Sequence, residues 1–194
     1  VPRRARRSAS CGAARATGGG VLKHDPIARS ATRLSDKFGH ETKPLAQWAD
    51  LEAYVLLAEP GGGKSEAFKR EAASASYILA RDFVNAGPPE GWSGEALFID
   101  GFDQMRADSA SRNTPLDQIV QKLDAVGRPR FRICCREADW LSSDQSALRA
   151  VSRGDVGVLH LDPLTDEEVL LLLRRRGDRV PDAQAFVERA ARQS

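Results

Sequence analysis

Tyr54-Val55-Leu56-Leu57-Ala58-Glu59-Pro60-Gly61-Gly62-Gly63-Lys64-Ser65 changes character twice within 12 residues. Residues 54–57 are a short apolar run of the kind that makes a buried strand. Pro60 and the three glycines stop it, because Pro cannot donate to a strand ladder and Gly opens backbone conformations closed to other residues. From Lys64 to about Ala75 the side chains are good helix formers. The local prediction is a strand, a Gly-rich loop and a helix, in that order.

The alternation continues outward. Residues 96–99 read as a second buried strand ending on Asp100; Phe131, Ile133 and Cys135 alternate with Arg132 and Cys134 in another, and 156–161 form a last one. Residues 77–79 read either as a further strand or as an extension of the preceding helix. Leu116, Ile119, Val120 and Leu123 recur at helical spacing, 147–151 suit a short helix, and 85–94 are rich in turn residues. Thr165, with Glu168 three residues on, forms a capping box before the apolar run 169–173. Upstream, order is expected from about Ile27. Leu34, Phe38, Leu45, Trp48 and Leu51 suit short helical pieces there, broken at Gly39 and Pro44. Strands alternating with helices predict the α/β class, a three-layer sandwich with a mostly parallel sheet. Ligands of such sheets bind beyond the carboxyl ends of the strands.

Three segments fall at such ends. Residues 58–65 have the form A-x-x-x-x-G-K-S, a phosphate-loop pattern with Ala58 where Gly is usual. Consecutive glycines let backbone amides wrap a triphosphate without Cβ clashes, and the following helix aims its positive end at the same phosphates. Lys64 would reach the β- and γ-phosphates, and the Ser65 hydroxyl would ligate Mg²⁺. The plainer alternative is a flexible turn that happens to precede Lys-Ser.

Phe98-Ile99-Asp100-Gly101-Phe102-Asp103 sets two acids three residues apart past a strand. Asp100 suits the Mg²⁺ shell, and Asp103 suits orienting or deprotonating an attacking water; the alternative is a pair of solvated turn acids. Arg136 closes a strand expected to lie beside the first. Its planar fork could read a γ-phosphate, or it could pair on the surface with Glu137 or Asp139. Trp140 reads as a packing anchor.

The chain has 194 residues, 41% apolar and 29% charged, enough for one domain with a core. Residues 1–24 carry six basic side chains and no acid, leaving 23 basic against 27 acidic residues in the rest. The basic character sits in a leader that reads as disordered, as a transit peptide or as a nonspecific phosphate-binding arm. No apolar run approaches the ~18 residues of a membrane span. Cys11, Cys134 and Cys135 make neither a disulfide framework nor a zinc site, and the adjacent pair suits a buried strand. A reducing cytoplasm fits that usage.

The segments 56–65 (LLAEPGGGKS), 97–104 (LFIDGFDQ), 132–140 (RICCREADW) and 161–168 (LDPLTDEE) together resemble NACHT-type nucleotide switches of the STAND and AAA+-related class of P-loop NTPases. The resemblance spans roughly residues 51–177. It implies ATP and Mg²⁺ as cofactors, phosphate and metal roles for Lys64 and Ser65, a metal role for Asp100 and a sensor role for Arg136. Asp103 stands where a second acid is usual. The family often has a further acid where this chain has Gln104, which implies slow hydrolysis.

The expected organisation is a leader (1–24), a helical lead-in (25–50), a nucleotide-binding domain (51–177) and the start of a truncated helical lid (178–194). Further domains of a longer parent protein and a nucleotide-dependent oligomer are the expected partners, with no membrane or nucleic-acid partner. Two other functions stay open: a scaffold that binds ATP with little turnover, favoured by Gln104, and an AAA+-type ATPase acting on nucleic acid, supported by the basic leader alone. The absence of an Asn-Lys-x-Asp signature favours adenine over guanine nucleotides.

Overall fold

The computed structural model describes residues 28–35, 39–72, 76–109 and 114–175. Its strands are β1 (Ser30–Ser35), β2 (Gly39–Pro44), β3 (Ala53–Ala58), β4 (Tyr77–Leu79), β5 (Leu97–Asp100), β6 (Phe131–Arg136) and β7 (Val156–Leu161). Its helices are α1 (Lys64–Glu71), α2 (Ala80–Ala86), α3 (Phe102–Ala107), α4 (Thr114–Ala125), α5 (Ser142–Arg149) and α6 (Asp166–Arg175). The expected leader at 1–24 and the expected lid at 178–194 lie outside the described residues.

All six residues of β3 are buried, as a strand covered on both faces requires. Successive side chains point to opposite faces, so β3 feeds two cores. Ala53, Val55 and Leu57 join Ile99, Ile133 and Cys135 against Phe83, Phe102, Ile119 and Leu148 from α2, α3, α4 and α5. Tyr54, Leu56 and Ala58 join Phe98, Cys134 and Leu159 against Ala67 and Phe68 of α1 and against Leu45 and Trp48 of a 3₁₀ turn. Phe68 holds that second face together, its ring edge-on to Phe98 at 5.4 Å and to Tyr54 at 6.4 Å. Truncating a ring so enclosed costs about 3–5 kcal/mol.

The seven strands form one sheet in the order β2-β1-β7-β3-β6-β5-β4. The pairs β3–β7, β3–β6, β6–β5 and β5–β4 are parallel; β1 is antiparallel to both β2 and β7. The chain leaves β3 for the far edge at β4, steps back through β5 and β6, then crosses β3 to reach β7. That reversal opens a crevice at the carboxyl ends, the usual ligand position in such sheets.

The expected helical lead-in is corrected. β1 and β2 pair antiparallel instead, with Thr32 and Thr42 facing each other at 2.6 Å between their hydroxyls. The free edge of β7 supplies β1 with backbone partners (Ala31 opposite Leu161), and that tertiary template outweighs the loose helical spacing. Leu34, counted in that spacing, is half exposed, while Leu45 and Trp48 do reach the core. Residues 77–79 are a strand, and α1 ends at Glu71 rather than near Ala75, with Ala72 already extended. The Thr165–Glu168 capping box forms: the Glu168 carboxylate accepts from Thr165 N at 2.8 Å, and Thr165 Oγ1 accepts from Glu168 N at 3.3 Å.

Candidate functional site

A cleft of about 530 Å³ opens over the carboxyl ends of the strands, between the loop before α1 and the turn after β5. Pro60, Gly61, Gly63, Lys64 and Ser65 line one wall, Asp100, Gly101, Asp103 and Gln104 the other, with Arg136, Tyr77 and Lys69 between. Ala58, Glu59 and Gly62 are not in its lining. Register explains the convergence. Ala58, where β3 ends, is the partner of Arg136 at the end of β6, and Ile99, just before Asp100, is the partner of Ile133.

Gly61 and Gly63 carry φ of +78° and +83°, conformations that L side chains rarely adopt. Gly62 N donates to Glu59 O at 3.1 Å and closes the turn. A Cβ on Gly62 would lie 3.3 Å from the Ala58 Cβ and 3.1 Å from Glu59 O, so Ala58 is accommodated because Gly62 has no side chain. Ala67 N is bonded to Gly63 O at 2.9 Å. Among the described residues no backbone acceptor takes the amides of Lys64, Ser65 or Glu66, the unpaired donors that every helix start leaves. They give this wall a partial positive charge.

Lys64 is buried at 9% exposure. Its ammonium donates to Ala58 O at 3.0 Å and Glu59 O at 3.1 Å, which bends it back over its own loop. Asp100, 4% exposed, accepts from Gly101 N at 2.7 Å and from the Tyr77 hydroxyl at 2.8 Å. Burial raises the Tyr77 pKa, and the bond to Asp100 raises it further, so Tyr77 stays a donor. Burial, and then Asp100, also push the Cys134 thiol well up, while burial raises Cys135 to about 12. Both cysteines are buried in β6, where their thiols stay neutral and unreactive.

Gly101, at φ +75°, turns the chain from β5 into α3 and sets Asp103 in that helix's first turn. Asp103 Oδ2 lies 2.7 Å from Arg136 Nε. The carboxylate is 7% exposed and the guanidinium 46%. Arg136 thus pairs with the other candidate catalytic residue and with neither of the acids expected on the surface. Glu137 faces His160 at 3.4 Å, and the Asp139 backbone oxygen accepts from Arg106.

Of the candidate residues, Pro60, Gly61, Gly63, Lys64, Ser65, Asp100, Asp103 and Arg136 therefore line one cleft, while Ala58, Glu59 and Gly62 belong to the loop without lining it. Sequence reasoning missed Tyr77, Lys69 and Arg29. Tyr77 and Lys69 come together only because β4 docks beside β5, which sets the Lys69 ammonium 5.8 Å over the Tyr77 ring. Arg29 reaches the loop from the segment before β1, its Nη1 donating to Gly62 O at 2.9 Å. No local motif announces either contact.

Basic Lys64, Lys69 and Arg136 and acidic Glu66, Asp100 and Asp103 all line the cleft. An arrangement that mixes both signs can hold an anion and a cation side by side. Among the described residues no group of three or more His, Cys, Asp or Glu could hold a metal ion. A sparse donor set of one hydroxyl and one carboxylate suits a cation that keeps most of its waters, as Mg²⁺ does. Among the described residues, no helix is long and apolar enough to cross a membrane.

No family model matches the chain, and no curated protein does. Among solved structures the chain is similar to one described as the crystal structure of APE1195. That match has 17% identity and a TM-score of 0.33, over 73% of this chain and 71% of that one. A likeness at that level carries nothing about the chemistry of the cleft.

Proposed function

We propose that the cleft binds ATP with Mg²⁺ and that the chain is the P-loop nucleotide-switch domain of a NACHT-like signalling or defence protein, with slow hydrolysis. One observation carries the reading. A glycine loop leading to a helix start whose amides no backbone acceptor takes among the described residues, together with a buried lysine, shares a cleft with a strand-end carboxylate, a second carboxylate in the next helix turn and an arginine. The strand order supports it, because β6 lies between the loop strand β3 and the acid-bearing β5 and so delivers Arg136 between them.

The residues fit the ligands. Gly61 and Gly63 bring no Cβ to the loop wall, and the first amides of α1 supply donors for phosphate oxygens. Ser65 and Asp100 would hold Mg²⁺, which when bound would offset charge on the terminal phosphates. Lys64 would exchange its two carbonyl partners for phosphate oxygens, trading neutral acceptors for charged ones. Arg136 would leave Asp103 for the γ-phosphate, freeing the Asp103 carboxylate to orient a water and take its proton. The Arg136–Asp103 pair then works as a latch that only a triphosphate opens, which suits a switch.

A second reading is a nucleotide-dependent scaffold with little turnover. Gln104 favours it, since this amide lines the cleft and cannot accept a proton. Phosphate release at steady state separates the two, turnover favouring the switch. The primary test is calorimetric titration of ATP–Mg²⁺ into wild type and Lys64→Ala. The variant is expected to bind about 10- to 150-fold more weakly. Equal dissociation constants would sink the reading.

A further inference from the structure

Arg29 is 8% exposed, precedes β1 and does not line the cleft. Its guanidinium forks between two distant backbone oxygens, Nη1 donating to Gly62 O at 2.9 Å and Nη2 to Asp162 O at 2.5 Å. Burial lowers its pKa, yet an arginine so placed stays charged. Asp162 follows β7 and is itself held, its amide on Ser30 O at 3.0 Å and its carboxylate accepting from Thr32 Oγ1 at 2.7 Å.

The peptide between Gly62 and Gly63 is trans, so its N–H points opposite to its C=O. With the carbonyl turned onto Arg29 behind the loop, the Gly63 N–H turns toward the cleft that Gly63 lines. Contact on the rear side is close, because a Cβ on Gly63 would lie 2.8 Å from Arg29 Nη1. A peptide flanked by two glycines is otherwise easily flipped, since neither neighbour restricts it. Flipped, it would present a carbonyl oxygen to the ligand in place of an amide.

We infer that Arg29 is a positioning residue for phosphate binding: it holds the Gly62–Gly63 peptide with its amide directed at the anion and ties that peptide to the segment entering α6. The inference rests on the nucleotide reading of the cleft. It makes the loop and the start of α6 share one guanidinium, so a change at either end is felt at the other.

The test titrates ATP–Mg²⁺ and inorganic tripolyphosphate into the full chain while following the Gly63 amide by ¹H–¹⁵N spectroscopy. Wild type is expected to show a downfield shift of the Gly63 amide on binding; Arg29→Ala is expected to weaken both ligands about tenfold and to abolish that shift. Arg29→Lys keeps the charge but not the fork, and should weaken binding about threefold with a reduced shift. Wild-type affinity in a folded Arg29→Ala, or an undiminished Gly63 shift, would overturn the inference. If Arg29→Ala does not fold, Arg29→Lys decides by the same two readouts, full wild-type behaviour overturning it. Lys64→Ala separates the layers. If it binds as wild type does, the nucleotide reading falls and takes this inference with it. If it loses binding while Arg29→Ala keeps it, only the role of Arg29 falls.

Discussion

Two arginines on the same strand, four residues apart, lead opposite lives. At the start of β6, Arg132 is 2% exposed and donates to four backbone oxygens, those of Ala49, Leu51, Glu52 and Phe131, while its guanidinium stands 4.6 Å from the Tyr54 ring centroid. Burial lowers its pKa to about 10. At the other end of β6, Arg136 is 46% exposed and pairs with Asp103 over an open cleft. A guanidinium carries five donors. Where carbonyls take four of them, the residue has become part of the fold. Where one carboxylate holds it at the mouth of a cleft, the remaining donors are available to a ligand. The Arg106–Asp144 pair, each 2% exposed and doubly hydrogen-bonded at 2.7 and 3.0 Å, belongs with the first kind.

The largest effect expected from breaking this contrast is at Arg132. Arg132→Ala removes a donor from four backbone carbonyls, three of them only partly buried, and takes a stacked guanidinium off the Tyr54 ring; it should cost about 2–4 kcal/mol in urea melts, with nucleotide affinity of the folded fraction unchanged. A loss under about 1 kcal/mol would mean that water replaces the guanidinium and that the two arginines differ less than their burial suggests.

Next in size is the stretch between them. Cys134 and Cys135 hold their protons more tightly in the folded chain than in the unfolded one, burial being the main cause. Stability is therefore expected to be full below the ordinary thiol pKa of 9.0 and to fall as pH rises beyond it. The slope should be about 1.4 kcal/mol per pH unit for each thiol. Denaturant melts from neutral pH upward would show it, and Cys135→Ala should about halve the slope, leaving the share of Cys134. A stability flat to pH 10.5 would mean that the thiols ionise in place.

Arg136→Ala should leave stability within about 1 kcal/mol, because Asp103 faces the cleft and regains water. Its expected signature is functional, a fall of about tenfold in the preference for ATP over ADP measured by calorimetry. An unchanged preference would return Arg136 to a plain ion pair. Asp100→Asn sharpens the same end of the sheet: binding in EDTA should be spared while the gain from Mg²⁺ disappears. Smallest is Tyr77→Phe, which removes one donor from Asp100 and should cost under about 1 kcal/mol while altering the Mg²⁺ response slightly.

The loop glycines, Lys64, Ser65 and Asp100 were readable in the sequence because their constraints are local. A glycine needing positive φ, a lysine at a helix start and an acid at a strand end are each set by neighbours in sequence, and their spacing survives folding. The antiparallel pair β1–β2 was not readable. Thr32, Leu34 and Thr42 have no strong pattern of their own, and only the open edge of β7 makes them strands. In the sequence Arg132 is only an alternating position beside Phe131 and Ile133, with no sign of its surroundings. It lies buried because the carbonyls of Ala49, Leu51 and Glu52 gather where the chain enters β3.

By itself, then, the sequence determined the α/β alternation, the loop between β3 and α1, and the candidate set of Lys64, Ser65, Asp100, Asp103 and Arg136, since hydrophobic period and backbone freedom act over a few residues. Only the tertiary structure decided who meets whom. It paired Arg136 with Asp103, gave Asp100 the Tyr77 hydroxyl, and brought Arg29 across 33 residues to Gly62. Those contacts depend on strand order and register, which arise when separate elements bury their apolar faces together and which no short window of sequence encodes.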